Sequence, residues 1–325
     1  MIRSATTAFL AAALVLTGCQ TTEEAAAQPA VTYPSGPVMM SAGANPGSGL
    51  DLTIRAVVDS LQAENLVTVP LPVENRPGNI GADWLATMVE KYRGADNQVS
   101  ATSLSMMMNE LRGISPYGVD DVTMIARLMT EYYVVVTDSA SPYTNLADVM
   151  TAIKGEPGGV RVGAATDDQA PFDLLVSAAG GDPSLIDYVP FEGGGDQTRA
   201  LLDRNVDVAV GGLSEFVDLV QSGELRALGV LAEQRLPGVD IPTAREQGLD
   251  VTLSNWRGLY GPPDMPKPAV EYWQRVLGEM VETPTWKQVA ERSHFTTTFM
   301  VGDQFQAFLA ETQTDLKAAL DQAAR

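Results

Sequence analysis

Residues 122–138, "VTMIARLMTEYYVVVTD", decide how this chain is organised. They carry two strand-like apolar runs in succession, with no evident helix between them. Before them the pattern alternates. Residues 38–42 read as a strand and 48–64 as a helix, with Leu50, Ile54, Val57, Val58 and Leu61 on one face. Residues 67–73 read as a strand, 82–92 as a helix, 98–102 as a strand and 106–111 as helix. That β-α order predicts a mostly parallel sheet with helices on both faces. The change of texture at Val122 then marks the chain leaving one α/β lobe for a second.

Alternation resumes beyond the break. Helices are expected at 146–153, 172–179, 197–204 and 215–222, and strands at 160–164, 186–190, 206–210 and 225–231. After Gly248, "VTLSNWRGLYGPPDMP" reads as a long strand with a proline-rich stop that returns the chain to the first lobe. Helical stretches at 268–282, 286–292 and 303–322 complete it. The expected fold class is α/β, two lobes joined by two crossovers, with 37–130 and 256–325 in lobe 1 and 131–255 in lobe 2. Ligands of such sheets bind outside the carboxyl ends of the strands, and hinge closure around them is the usual behaviour.

The amino terminus reads as a processing signal. Arg3 precedes an apolar run over 8–16, too short to span a bilayer, and Leu16-Thr17-Gly18-Cys19 follows. The ending resembles a bacterial lipobox, which predicts a signal peptide over 1–18 and Cys19 as the lipidated first residue. Residues 19–36 then read as a flexible tether. Cys19 is the only cysteine of the 325 residues, so it has no intrachain disulfide partner. Cleavage removes one basic residue and no acid, taking the formal charge from −20 to −21. That balance argues against a nucleic-acid partner, whose affinity rests on basic patches.

The inventory excludes further chemistry. A Ser-His-Asp triad has only His294 to draw on, and neither a cysteine nucleophile nor a Cys/His zinc cluster is available. No cofactor or metal is expected. A carboxylate pair remains open, because acids number 41. Trp84, Trp256, Trp273, Trp286 and the Met106–Met108 run read as packing residues. Arg257 lies in the second crossover, close to the expected cleft.

Glycine- or hydroxyl-bearing loops recur at strand-to-helix junctions. "SAGANPGSGLDLTIR" (41–55) lacks the third glycine of a dinucleotide fingerprint, which is Leu52 here, and the lysine of a Walker loop. Ser48 and Asp51 resemble a capping box, and the glycines let backbone N–H groups approach an anion at a helix start. "SATSLSMMM" (100–108), "GAATDDQAPF" (163–172), "PFEGGGDQTRALL" (190–202) and "VGGLSEFVDL" (210–219) follow the same plan. Together they predict an anion-binding cleft. The last lacks the closing glycine of a nucleophile elbow, so Ser214 reads as a donor or cap.

Several longer segments, in order and spacing, are similar to one family. They are "GSGLDLTIR", "ENRPGNIGADWLA" (74–86), "VTMIARLMTE", "YVPFEGGGDQTRALLDRNVDVAVGGLSEF" (188–216), "LPGVDIPTAREQG" (236–248) and "NWRGLYGPP" (255–263). The family is the substrate-binding receptors of tripartite tricarboxylate transporters, or Bug-type extracytoplasmic solute receptors, and the resemblance spans about 33–320. It implies a type II periplasmic-binding-protein fold and a monomer. It also implies a small, tricarboxylate-like ligand held by amides, hydroxyls and water, then passed to integral-membrane subunits. It implies ligand contacts from Ala44, Asn45, Ser48, Gly49 and Asp51, and from Thr102 and Ser103. In lobe 2 it implies Ala165, Thr166, Asp167, Asp168, Gly193, Gly194, Gly195, Gly212, Leu213 and Ser214. With the lipobox it implies a periplasmic, membrane-anchored, non-enzymatic lipoprotein. Two departures stand out: Asn45-Pro46 in the first loop, and the acidic pair Asp167-Asp168 where small and hydroxyl residues are commoner. Two carboxylates beside a carboxylate ligand repel it unless they point away or a cation bridges them. A secreted hydrolase or lyase using a carboxylate pair, or a sensing rather than an uptake receptor, are the alternatives.

Overall fold

The computed structural model describes residues 33–323; the signal segment, Cys19 and most of the expected tether lie outside them. The chain opens with β1 (Met39–Ala42), α1 (Gly49–Ala63), β2 (Val73–Asn75), α2 (Ala82–Lys91), β3 (Gln98–Ser103) and α3 (Leu104–Leu111). β1, β2 and β3 pair in parallel, as the alternation predicts. α1 forms because Ser48 caps it in an extended conformation and Leu50, Ile54, Val57, Val58 and Leu61 fall on one buried face.

The deciding stretch is one continuous strand, β4 (Thr123–Asp138). Up to Tyr132 it pairs antiparallel with β9 (Ser254–Gly261). From Tyr133 onward it pairs with β7 (Val208–Gly212) and β8 (Leu225–Val230). The chain thus changes sheets without a turn. Between β4 and β8 come α4 (Leu146–Gly155), β5 (Arg161–Ala164), α5 (Gln169–Ala178), β6 (Asp187–Pro190), α6 (Gly194–Leu202) and α7 (Leu213–Ser222). β6, β5 and β7 are parallel. β9 then re-enters the first sheet beside β3, antiparallel. α8 (Lys267–Met280), α9 (Pro284–Ser293), β10 (Thr296–Val301) and α10 (Gly302–Ala323) follow.

Each half of the sheet is covered on both faces. In the second half, Tyr133 and Val135 pack with Leu146, Phe172 and Leu175 on one side. Val134 and Val136 pack with Leu201, Phe216 and Val217 on the other. Burial on both faces is why this part of β4 reads as an unbroken apolar run rather than an alternating one. In the first half, Ile54 and Trp273 belong to one cluster, and Trp84, Met107 and Phe305 to another.

Three expectations need correction. The strand expected over 67–73 shrinks to a start at Val73, because Pro70 and Pro72 have no N–H to pair. Their carbonyls still accept from Val38 N and Met40 N, at 3.1 and 2.9 Å. β10, which pairs antiparallel with the first part of β4, lies outside the expected elements, although its three β-branched threonines favour a strand. The tether does not run free to residue 36. Tyr33 Oη donates to Asp96 O at 2.7 Å and accepts from Trp273 Nε1 at 2.6 Å, fastening that end to the first core.

Candidate functional site

The carboxyl ends of β1, β3, β5, β6 and β7 face one another across a cleft that is shut. Four hydrogen bonds join its two sides. Asn45 Nδ2 donates to Asp196 Oδ2 at 3.2 Å, and Ile80 N to Glu192 Oε2 at 3.2 Å. Arg112 Nη1 donates to Thr166 O at 2.8 Å, and Gly49 N to Glu215 Oε1 at 2.8 Å. Gly193 sits so close to the first loop that a Cβ built on it stands 2.6 Å from Ser48 Cβ.

In the first loop, Ser48 Oγ accepts from Asp51 N at 3.4 Å, half of the expected capping box. The other half differs. Asp51 reaches back to Gly47 N (2.9 Å) instead of the cap residue, and also binds Arg55 Nε and Asn75 Nδ2 at 2.9 Å each. Buried and fully engaged, Asp51 builds the loop rather than facing the cleft.

At the centre lies a salt-bridged triad that the glycine loops alone did not reveal. Arg257 of β9 pairs with Glu131 of β4 through Nε, and its Nη2 lies 3.7 Å from Glu215 Oε1 of α7. Their side chains are 6%, 1% and 5% exposed. Glu131 also accepts from Ser214, from its backbone N at 2.9 Å and from its hydroxyl, which makes Ser214 the donor expected of it. The glycines make room for this triad. A Cβ on Gly194 stands 2.2 Å from Glu215 Oε2, one on Gly212 2.7 Å from the Glu131 carboxylate, and one on Gly49 2.0 Å from Arg257 Nη2.

Three of the five helix starts expected to greet a ligand anion therefore hold the protein's own acceptors. Glu215 occupies the first amide of α1, Glu131 the start of α7, and Asn255 Oδ1 accepts from Leu104 N of α3 at 3.1 Å. What remains open is a cavity of about 40 Å³, walled in part by Ser48, Gly49, Ser103, Asp168, Gly193 and Arg257. Asp167 lines it too, and also lines a chamber of about 470 Å³ beside Leu104, Met108, Tyr133, Pro171 and Leu174.

The acids here are strongly perturbed. Burial raises the Glu215 pKa from 4.5 to about 7, with Arg257 opposing and Glu131 adding to the rise. Burial, then Asp167 and Glu215, raises Asp168 well above the ordinary carboxylate range. Burial also raises Asp167, against Arg257 and Arg112.

Of the expected site residues, Ala44, Ser48, Gly49, Ser103, Ala165, Asp167, Asp168 and Gly193 line the small cavity. Asn45, Gly194, Gly195, Gly212 and Ser214 stand behind it, in contacts that close the cleft or seat the triad. Gly195 packs on the first loop, where a Cβ would lie 3.2 Å from Pro46 O. Thr166 offers only its carbonyl, to Arg112. Thr102 turns toward Met106 Sδ at 3.8 Å, and Leu213 is core. The residues that the loop pattern missed are Glu131, Glu192, Glu215, Asn255 and Ile80. A charge inside the apolar run of β4 was the available signal for Glu131. His294 lies elsewhere, at the end of α9, with Nδ1 2.9 Å from Pro237 O.

The sequence model described as tripartite tricarboxylate transporter family receptor matches residues 55–324. BugT of Bordetella pertussis is 26% identical over 295 residues, covering 86% of this chain and 87% of BugT. The structure of the periplasmic binding protein BugD superimposes with a TM-score of 0.81 at 18% identity, over 90% of this chain and 99% of that one. MatC of Rhodopseudomonas palustris, solved with bound malate, gives 0.76 at 21% identity, over 90% and 100%. At these identities the structural matches establish the shared two-lobed periplasmic-binding-protein fold.

Proposed function

This chain belongs to the tripartite tricarboxylate transporter receptor family, and on that premise we propose that it captures a small carboxylate-bearing solute between its lobes and delivers it to the transporter's membrane subunits. Proteins of the family are periplasmic solute-binding receptors. The observation that carries the reading is the shut cleft. Bonds from three separate first-lobe segments, around Asn45 and Gly49, at Ile80 and at Arg112, meet the second lobe around a cavity at the strand ends, the geometry of a receptor that encloses its ligand. The lobe boundaries at 130/131 and 255/256 belong to this proposal, as do a monomeric state and a Cys19 lipid anchor. Malate in MatC supports a carboxylate group on the solute.

An unaccompanied tricarboxylate is the least favourable version. Glu131, Asp167, Asp168, Glu192 and Glu215 surround the cleft, against the guanidinium groups of Arg257 and Arg112, and like charges within a dry site repel. The protein acts as a binder rather than an enzyme in this reading. Its lone histidine is remote, and the carboxylate that accepts from Ser214, Glu131, is tied up in the salt bridge to Arg257. The test is to purify the mature protein from its native periplasm and identify copurifying small molecules by native mass spectrometry. Small-angle scattering before and after ligand removal completes it. A stoichiometric solute, recovered unchanged, with expansion on its removal is expected. A chain that carries no solute and keeps one shape would overturn the receptor reading.

A further inference from the structure

We propose that the ligand carries a protonated amine, seated against Asp167, Asp168 and Glu215, with its carbon chain in the adjoining chamber. This rests on the receptor reading above and narrows its ligand class. At α1, α7 and α3, three of the five helix starts at the cleft, the amides that could hold a ligand carboxylate already bind Glu215, Glu131 and Asn255. Acids outnumber cations at the cavity wall: Asp167, Asp168, Glu192 and Glu215 line it with Arg257 alone, which already pairs with Glu131 and lies 3.7 Å from Glu215, while Arg112 stands in the adjoining chamber.

A second, independent observation points the same way. Glu215 Oε2 is buried with no hydrogen-bond partner, on a side chain 5% exposed that lines the cavity. Asp168, 7% exposed, lines the same cavity, and Glu215 Oε2 is the acceptor there that lacks a partner. Buried acceptors in that state cost free energy until a donor reaches them, and an ammonium brings three donors and a charge.

A bridging metal is the competing source of charge. The described residues contain no group of three or more His, Cys, Asp or Glu side chains disposed to hold one. The volumes suit an amine. About 40 Å³ is close to the roughly 30 Å³ share of one water, hence of one ammonium head. The chamber of about 470 Å³, which shares Asp167 with the cavity, is walled by Leu104, Met108, Pro171 and Leu174 together with Arg112 and Asp173, and has room for a short methylene chain.

The experiment is titration calorimetry on the full mature chain, freed of copurified solute, with pentylamine, 5-aminopentanoate and pentanoate at about pH 8 and about pH 5.5. Glu215, raised to about 7, titrates between these values, and burial raises Asp167 and Asp168 beside it as well. Facing it are Arg257 from β9, Glu131 from β4, Asp167 and Asp168 ahead of α5, and Glu192 ahead of α6. At the higher pH the two amines are expected to bind about tenfold or more tighter than pentanoate, the worth of one charge-assisted hydrogen bond. Their advantage shrinks at the lower pH, where Glu215 is protonated. Asp168→Asn replaces a carboxylate of the cavity wall with a neutral isostere; it weakens the amines about tenfold and, by removing a like charge, binds pentanoate at least as tightly as the native chain does. Pentanoate binding as tightly as the amines, amine affinity indifferent to Asp168→Asn, or failure of both amines would overturn the proposal. If pentanoate binds and the amines do not, the receptor reading stands and the amine falls. If no probe binds, the amine falls here, and the copurification experiment judges the receptor.

Discussion

Glu215→Gln separates the charge of one buried carboxylate from its shape. The side chain accepts from Gly49 N across the cleft at 2.8 Å, and glutamine keeps that acceptor. In the native chain burial raises the Glu215 pKa from 4.5 to about 7. A folded-state pKa above the unfolded one means that the folded protein holds the extra proton between the two values. Stability from this group is therefore complete below about pH 4.5, falls as pH rises, and is lost above about pH 7. A difference of about 2.5 between the pKa values, at about 1.36 kcal/mol each, makes about 3 kcal/mol. At roughly 2 °C per kcal/mol for a domain of this size, that is about 6 °C in Tm. The lobes have a second way out: opening the cleft hydrates Glu215, so the cost of opening caps the loss. The assay is therefore paired, with urea denaturation and small-angle scattering at about pH 5 and about pH 8 on both proteins. The variant is expected to match the native chain at the lower pH. At the higher pH it gains up to about 3 kcal/mol, or stays compact where the native chain expands. If both proteins keep the same pH dependence in both measurements, Glu215 is not a buried acid in the closed cleft, and the electrostatic account fails.

Three further outcomes are expected. Gly193→Ala puts a Cβ 2.6 Å from Ser48 Cβ at a φ of 140°, at a cost of about 1–3 kcal/mol in the closed form. It should expand the unliganded protein in scattering, and an unchanged radius of gyration would refute the contact. Tyr33→Phe loses the bonds to Asp96 O and Trp273 Nε1 and should cost about 1–2 kcal/mol in urea denaturation, with a change under about 0.3 kcal/mol counting against it. Cys19→Ser should move the protein from the membrane fraction to the soluble periplasm; a soluble native protein would remove the lipid anchor.

Much of the architecture is legible one segment at a time, because the signals are local. α1 follows from Ser48 and a 3.6-residue apolar period, and β5 and β7 from short apolar runs before glycine or acidic loops. The misses have local causes as well. Pro70 and Pro72 sit in an apolar run but have no donors to pair, and the polar face of the β10 threonines breaks the apolar pattern by which a strand is read, although their β-branching favours one. The site was legible in part. The glycine loops do come together, yet several of their glycines serve to seat Glu131, Glu215 and Arg257.

Sequence by itself determined the elements, the double crossover and the set of loops that meet at the cleft, since hydrophobic period and turn residues act over a few positions. Only the tertiary structure decided what fills that cleft. Glu131, Glu215 and Arg257 are separated by up to 126 residues, and no pattern along the chain says that a carboxylate from α7 will take the first amide of α1. Burial and charge pairing are properties of the assembled site. They turn an expected anion cradle into a small cavity rich in carboxylates, with a buried Glu215 oxygen left without a hydrogen-bond partner.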